Sequence, residues 1–213
     1  ESAIISIFSS YSQAGKTVYA LNLALSLHKE SHKSVLVMEI CLKDSSYSLP
    51  GKLEVADNYP VLDLSAGSTD TIRLLQDSIL KDKFGIDLVC LNYKEEDSYC
   101  VKRLMEILSF LVNNYHYIIL DLPSSMDRFV FEILNQSDLI HILSSPDQVY
   151  LKRTHNLIKR LNTDFHFSTY KIKIIVNEHK LSRLTHVQQV DILNHDIFAT
   201  LPKIELTSLD RLV

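Results

Sequence analysis

The sequence predicts an α/β fold with a doubly wound, mainly parallel sheet. Short apolar runs alternate with amphipathic stretches along most of the 213 residues. Several of these runs are apolar on both faces, which is typical of buried parallel strands. The first 40 residues read as strand, loop, helix and strand, which is a βαβ unit. The chain contains no internal repeat. The length suits one large domain, or two small ones with less room for cores, and the steady alternation predicts a single domain over residues 1–213.

The elements of the first part follow from local patterns. An apolar run predicts a strand at 3–8, and apolar residues at helical spacing predict a helix at 17–30. Residues 34–40 are apolar on both faces and form the next predicted strand. Residues 44–60 contain Pro and Gly and are expected to be irregular. A helix is predicted at 69–80.

Strands and helices continue to alternate in the rest of the chain. Thr69 or Asp70 is the expected N-cap of the helix at 69–80. Apolar, β-branched runs predict strands at 86–92, 116–123, 138–145, 171–178 and 197–202. Helical periodicity predicts helices at 96–115, 125–136, 147–163 and 185–194. The abrupt start in a strand and the abrupt end suggest that the chain is part of a longer protein.

Residues 10–17, S-Y-S-Q-A-G-K-T, match the phosphate-binding pattern G-x-x-x-x-G-K-[ST] except that Ser10 replaces the first Gly. They leave a predicted strand and open a predicted helix, where backbone N–H groups can surround phosphate oxygens. In this pattern Lys16 reaches the phosphates, Thr17 binds Mg²⁺, and Gly15 allows a tight turn. The alternative is a simple turn with Lys16 and Thr17 solvated. A positive φ at Ser10 would add strain.

Motifs in the same order resemble those of the deviant Walker A P-loop ATPases of the MinD/ParA superfamily, and within them the CpaE/TadZ-like proteins of pilus assembly. The loop lies where that family has G-K-G-G-x-G-K-T. The other resembling segments are SVLVMEICLKDSS (34–46), YHYIILDLPSS (115–125), DLIHILSSPDQVYLKRTHNLIKRL (138–161), IKIIVNEH (172–179) and DIFATLPK (196–203). The resemblance spans essentially the whole chain and implies a P-loop NTPase (MinD/ParA-like) fold.

The resemblance also implies roles for individual residues. Lys16 and Asp121 would be catalytic, and Thr17 and Asp121 would hold Mg²⁺. The residues implied to contact ATP are Ser12, Gln13, Ala14, Gly15, Lys16, Thr17, Val18, Asn177 and Pro202. The alternative for Asp121 is a helix cap, and the alternative for Asn177 is an ordinary turn residue at a strand end.

Three departures from the family's motifs predict weakened hydrolysis. Tyr11 stands at the signature lysine, which in the family reaches the partner's nucleotide across a dimer. Cys41 stands at the switch I Asp, and a thiol is a poor Mg²⁺ ligand, although Glu39 could compensate in part. Ser12 and Gln13 replace two loop glycines. Because phosphoryl transfer depends on positioned charge, while binding depends on the loop and its lysine, we expect ATP binding with slow or no hydrolysis.

The resemblance implies a nucleotide-dependent homodimer that acts with other assembly proteins of a Tad/Flp-type pilus or secretion system. Two alternatives stay open: a nucleotide-free scaffold of the same fold that acts by protein–protein contacts, and a tyrosine-kinase-like relative. Thermal stabilisation by nucleotide would separate the scaffold from the ATP-binding protein.

Composition narrows the partners and the location. The net charge of −4 and the pI near 6.1 give no strong nucleic-acid signal. The basic cluster on the predicted helix at 147–163 is best explained as a solvated face; it comprises Lys152, Arg153, Lys159 and Arg160. No apolar run has the ~20 residues of a membrane span. Three scattered cysteines indicate a reducing compartment. The expected location is cytoplasmic, or peripheral at the inner face of the membrane or a cell pole.

Overall fold

A computed structural model describes residues 2–47, 49, 59–66, 70–95, 97–178 and 183–202. The chain divides into two compact units. The first comprises Glu1–Phe8 and Lys16–Ile140, and the second comprises Ser9–Gly15 and His141–Val213. The chain therefore passes from one unit to the other between Gly15 and Lys16, inside the loop motif.

The first unit alternates strands and helices. Its strands are β1 (Ala3–Phe8), β2 (Val35–Leu42), β3 (Val61–Asp63), β4 (Leu80–Lys81), β5 (Asp87–Tyr93) and β6 (Tyr117–Asp121). Its helices are α1 (Lys16–Ser31), α2 (Thr71–Ser78), α3 (Ser98–Leu111) and α4 (Arg128–Gln136). The strands β1, β2 and β6 are almost entirely buried, and each fully buried Ile, Leu or Val contributes ~1.5–3 kcal/mol of burial free energy.

The sheet of the first unit is mainly parallel, with strands in the order β3-β5-β2-β6-β1, and β4 pairs antiparallel with β5. The strand β6 lies between β1 and β2. In register, Asp121 at the end of β6 pairs with Ile7 on one side and Glu39 on the other. Since ligands bind at the carboxyl ends of parallel strands, this order places Asp121 where a site is expected.

The second unit continues the alternation. Its elements are β7 (Leu139–Ser144, which begins in the last residues of the first unit), α5 (Gln148–Thr163), a 3₁₀ turn (Thr169–Lys171), β8 (Ile172–Asn177), α6 (His186–Leu193) and β9 (Ile197–Leu201). The strands follow the order β7-β8-β9, and β8 pairs parallel with β9. A capping box formed by Thr185 and Gln188 begins α6, and Asn194 ends it in the left-handed conformation.

The predicted helices and strands are confirmed in type, and their ends differ by a few residues. Most of the segment 44–60, which was expected to be irregular, lies outside the described residues. The helix predicted at 69–80 ends at Ser78, because Ile79 is extended and Leu80 pairs with β5. Asp70 is its N-cap, with Oδ1 accepting from the Arg73 N–H at 3.0 Å. The alternative cap, Thr69, lies outside the described residues, and the short strand β3 was not predicted.

The helix predicted at 96–115 is shorter than its periodicity suggested. It ends at Leu111 as α3. The side chains of Asn113 and Asn114 donate to the carbonyls of Ser109 and Phe110, at 2.8 and 2.7 Å, and so occupy acceptors at the end of the helix. Within the described part of the chain, no helix combines the length and the hydropathy needed to cross a bilayer.

Candidate functional site

Asp121, the last residue of β6, is a buried carboxylate that contacts the start of α1. Its side chain accepts a hydrogen bond at Oδ2 from Thr17 Oγ1, at 2.5 Å. The pKa of Asp121 is raised to about 6, mainly by burial; the Thr17 bond and the Lys16 charge oppose this shift, and nearby Glu39 adds to it. The structure therefore brings together the two residues predicted to hold a metal.

Lys16 begins α1 and is half-buried. Its Nζ donates to Ser124 Oγ at 2.8 Å, just beyond the end of β6. Burial lowers the pKa of the ammonium, while the nearby Asp121 carboxylate opposes this shift. The predicted loop lysine thus lies next to the candidate metal ligands and donates to a serine for which the sequence predicted no role. The D-x-P-S-S stretch after β6 was the signal that could have identified Ser124.

Neither residue considered for the switch I role offers the uncommitted carboxylate that this role requires. Glu39 is 4% exposed and accepts from the Leu49 N–H at 2.8 Å, so its carboxylate stabilises the backbone. Burial raises the pKa of the Cys41 thiol to about 12, and the charges of Glu39 and Asp121 add to this shift. Cys41 is therefore a neutral thiol at physiological pH, and a neutral thiol is a poor ligand for Mg²⁺.

The loop backbone takes two left-handed conformations, at Gly15 (φ +87°) and at Gln13 (φ +63°). Ser10 does not take a positive φ, so the backbone strain considered for this residue does not arise. Gln13, by contrast, stands at a position that favours glycine, since a left-handed residue with a side chain costs about 1–2 kcal/mol. Glutamine in place of glycine at position 13 therefore costs conformational free energy in the loop.

Asn177, the last residue of β8, holds the loop backbone. Its Nδ2 donates to the Ala14 carbonyl at 3.1 Å. A Cβ on Gly15 would lie 2.5 Å from the same Nδ2. This close approach requires a glycine at position 15. Asn177 thus positions the loop in this structure. The sequence had suggested either a contact with adenine or an ordinary turn residue for Asn177, and neither includes this contact.

Tyr11, at the signature lysine position, stacks on Tyr150 of α5 with ring centroids 4.1 Å apart and planes at 27°. Arg153 lies over the Tyr150 ring, 5.9 Å from its centroid, so one member of the basic cluster packs against an aromatic face. Burial raises the pKa of Tyr11 to about 12. Tyr11 is therefore a neutral ring held within its own unit.

The remaining predicted contact residues differ in exposure. Ala14 is buried. Ser12, Val18 and Pro202 are exposed, and Val18 is 47% exposed.

The side chains at the site match the chemistry of Mg²⁺ and of a polyphosphate. Mg²⁺ prefers hydroxyl and carboxylate oxygens, which Thr17 and Asp121 offer within hydrogen-bond distance of each other. A helix N-terminus and an ammonium suit phosphate oxygens, and both occur at Lys16. These residues fit both groups, whereas Cys41 fits neither.

No protein-family model matches the chain. The chain is 23% identical over 178 residues, 82% of its length, to a septum site-determining protein MinD of Guillardia theta. The match covers 63% of that relative, so the chain spans less than two thirds of its length.

Solved structures resemble the chain over nearly its whole length. A ParA family ATPase from Chlorobium tepidum TLS matches with a TM-score of 0.77 and 21% identity, covering 98% of this chain and 86% of that one. A chain of the MinC:MinD cell division protein complex of Aquifex aeolicus matches with a TM-score of 0.74 and 23% identity, covering 98% of this chain and 84% of that one. A plasmid partition protein of Borrelia burgdorferi B31 bound to AMPPNP matches with a TM-score of 0.73 and 18% identity, covering 100% of this chain and 91% of that one. The predicted fold class, a doubly wound α/β P-loop NTPase fold of the MinD/ParA type, is confirmed.

Proposed function

We propose that this chain is a MinD/ParA-family P-loop protein that binds ATP with Mg²⁺. The observation that carries the proposal is the contact of Thr17 with the buried Asp121, beside the half-buried Lys16. Buried charges are costly unless they serve a ligand or a partner. The related structure with bound AMPPNP supports a nucleotide as that ligand.

Each residue of the motif has a separate task in this proposal. Mg²⁺ supplies charge neutralisation at the phosphate oxygens. Thr17 and Asp121 hold the metal, and Lys16 neutralises phosphate charge. Residues 12–17 and Val18 would contact the nucleotide, Asn177 would hold the loop, and Pro202 would pack near the base.

Hydrolysis in this proposal is slow or absent. Tyr11 carries no charge and stacks on Tyr150, so it supplies no cation to the transition state. Cys41 is neutral, and Glu39 is engaged with the Leu49 backbone. In P-loop enzymes a missing cationic finger costs ~10³–10⁵ in rate, whereas ground-state binding keeps Lys16 and the metal ligands.

The biological role in this proposal follows the resemblance to CpaE/TadZ-like proteins. The chain forms a nucleotide-dependent homodimer that helps to localise or assemble a Tad/Flp-type pilus secretion system with other assembly proteins. It acts in the cytoplasm, at the inner face of the membrane or at a cell pole. The Aquifex aeolicus MinC:MinD structure, a complex with a partner protein, supports action through protein contacts.

Thermal unfolding with and without Mg-ATP tests nucleotide binding. At 100 times Kd, ATP should add about 2.7 kcal/mol to the free energy of unfolding. Lys16→Ala should abolish the increase, whereas Lys29→Ala, an exposed lysine of the same helix, should retain it. Gel filtration on the same samples reports whether ATP drives dimer formation.

ATP turnover of the purified protein tests the weakened hydrolysis. Wild-type turnover should lie near background, and Tyr11→Lys should raise it if the missing cation limits the rate. Turnover typical of an active P-loop ATPase in the wild type, lost in Lys16→Ala, would contradict this part of the proposal.

One observation favours the scaffold alternative. The charged groups at the site already have protein partners: Lys16 has Ser124, Asp121 has Thr17, and Glu39 has the Leu49 backbone. A site that satisfies its own charges can be stable without ligand. If Mg-ATP gives no thermal shift, the scaffold is the better proposal.

A further inference from the structure

The loop that follows β1 contacts the rest of the second unit on both sides of a left-handed residue. This loop belongs to the second unit, as do α5 and β8. On one side, the ring of Tyr11 stacks on Tyr150 of α5, with ring centroids 4.1 Å apart. On the other side, the Ala14 carbonyl accepts from Asn177 Nδ2 at 3.1 Å. Gln13, at φ +63°, therefore lies between a contact with a helix and a contact with a strand.

The conformation of Gln13 requires support from its surroundings. A residue with a side chain is strained in the left-handed region, and such strain persists only where neighbouring structure holds it in place. Glycine takes this conformation without a steric penalty, but this chain has glutamine where the resembling family has glycine. The backbone N–H groups of a phosphate-binding loop must converge on the phosphate. A loop that leaves its conformation at Gln13 would therefore lose part of its donor set.

The Tyr11–Tyr150 stack can give this support. Tyr150 lies in the first turn of α5, a helix of 16 residues, so its backbone is fixed. Arg153 lies over the Tyr150 ring, 5.9 Å from its centroid, and adds a cation–π contact to the same ring. On the loop, Ser9 Oγ donates to the Tyr11 carbonyl at 2.5 Å and orders the backbone next to the stack. The stack thus joins a helix to an ordered part of the loop, two residues before Gln13.

We infer that Tyr11 and Tyr150 are positioning residues whose stack compensates for the glycine missing at position 13 and holds the loop in its phosphate-binding conformation. The stack raises nucleotide affinity, because apparent affinity falls with the fraction of molecules whose loop is in the competent conformation. The effect on affinity rests on the proposed nucleotide binding, whereas the order of the loop does not. Tyr11→Lys would lose the stack, so its turnover is compared with that of the wild type at saturating Mg-ATP.

Variants of the Tyr150 ring test the effect on binding. Tyr150→Ala removes the stack and should weaken binding of Mg-AMPPNP about two- to tenfold, the scale of one aromatic pair. Tyr150→Phe keeps the ring and should bind like the wild type. Tyr170→Ala removes a tyrosine of the same unit that is 85% exposed and should leave the affinity unchanged. Titration calorimetry measures all four proteins. Unchanged affinity in Tyr150→Ala, or an equal loss in Tyr150→Phe, overturns the effect of the stack on binding.

A second substitution separates support of the loop from a general loss of stability. Gln13→Gly removes the strain, so it should restore most of the AMPPNP affinity that Tyr150→Ala loses, and it should change the affinity of the wild type little. A general defect of the fold would not be corrected by a glycine in the loop. If Tyr150→Ala weakens binding equally with glutamine and with glycine at position 13, the two sites are uncoupled and the compensation is overturned.

Nuclear spin relaxation of ¹⁵N measures the order of the loop without nucleotide. The backbone order parameters of Ser12 and Gln13 should be about 0.85, the value of rigid backbone, in the wild type and in Tyr150→Phe, and should fall in Tyr150→Ala. Unchanged order in Tyr150→Ala overturns the inference whether or not nucleotide binds. If the loop loses order but the wild type binds no nucleotide, the proposed function fails and the support of the loop stands. If both proteins bind nucleotide equally, the proposed function stands and the effect of the stack on affinity fails.

Discussion

A carboxylate that is 4% exposed at the end of a central strand is costly to keep ionised, because burial disfavours its charged form. Asp121 is such a group, with a pKa of about 6 against an ordinary 3.8. Proton binding therefore favours the folded protein. This contribution is complete below about pH 4 and is lost as the pH rises through about 6. At neutral pH the ionised Asp121 is a local source of instability, as expected for a residue that serves a ligand.

Replacing Asp121 with Asn should therefore stabilise the nucleotide-free protein at about pH 7.5. The gain in the free energy of unfolding is at most about 3 kcal/mol, the equivalent of the pKa shift, and should vanish near pH 4. Urea unfolding at several pH values measures it. Asp77→Asn, at an exposed carboxylate of α2, should leave the pH dependence unchanged. Asp121→Asn should also lose stabilisation by Mg-ATP, and retention of that stabilisation would contradict the metal role.

At the scale of elements, the loop between β1 and α1 depends on backbone conformations that side chains disfavour. Gly15 lies at φ +87°, and its missing Cβ leaves room for Asn177 Nδ2. Gln13 takes a similar conformation despite its side chain. The glycine that this chain keeps is thus the one that packs against Asn177.

Gly15→Ala should destabilise the protein by about 1–3 kcal/mol, because the alanine would be left-handed and would collide with Asn177. It should also weaken nucleotide binding. Gly85→Ala is a matched control, because Gly85 has the same φ of +87° and its Cβ would lie 2.6 Å from His28 Nε2. The control should lose similar stability in thermal unfolding and keep its affinity for Mg-ATP. If both variants lost the same affinity for Mg-ATP, the weaker binding of Gly15→Ala would be due to general instability of the fold.

At the scale of the whole molecule, the two units contain buried groups with opposite responses to pH. Asp121 belongs to the first unit. His141, on β7 in the second unit, is 6% exposed, and burial lowers its pKa to about 4, with the Lys173 charge adding to the shift. The stability due to neutral His141 is therefore present above about pH 6.5 and is lost as the pH falls through about 4.

Acidification should therefore weaken the second unit while it relieves the buried charge of the first. At about pH 5, hydrogen-exchange protection of the amides in β8, corrected for intrinsic rates, should fall relative to protection in β5. His141→Gln removes the titrating group of the second unit and should abolish the fall of protection in β8, while the effect of Asp121 on the first unit remains. A parallel loss of protection in β5 and β8 would contradict the prediction.

The sequence by itself determined the types of the elements and located the loop motif around Gly15, Lys16 and Thr17, for which phosphate binding is predicted. These depend on local patterns, namely the periodicity of apolar residues and a short motif between a strand and a helix. The resemblance in motif order was also sufficient to predict the fold class, which the solved structures confirm. Helix ends and the short strands β3 and β4 were less predictable, because side-chain caps and strand pairing decide them.

Only the tertiary structure decided which residues meet. The strand β6 lies between β1 and β2, and this order places Asp121 beside Thr17 and Glu39. The contacts of Lys16 with Ser124 and of Tyr11 with Tyr150 likewise join positions more than 100 residues apart. No local pattern contains such pairs, because they form when the sheet assembles and buries its strands. The physical reason is that long-range contacts are selected by packing and burial of the folded chain, which sequence periodicity does not specify.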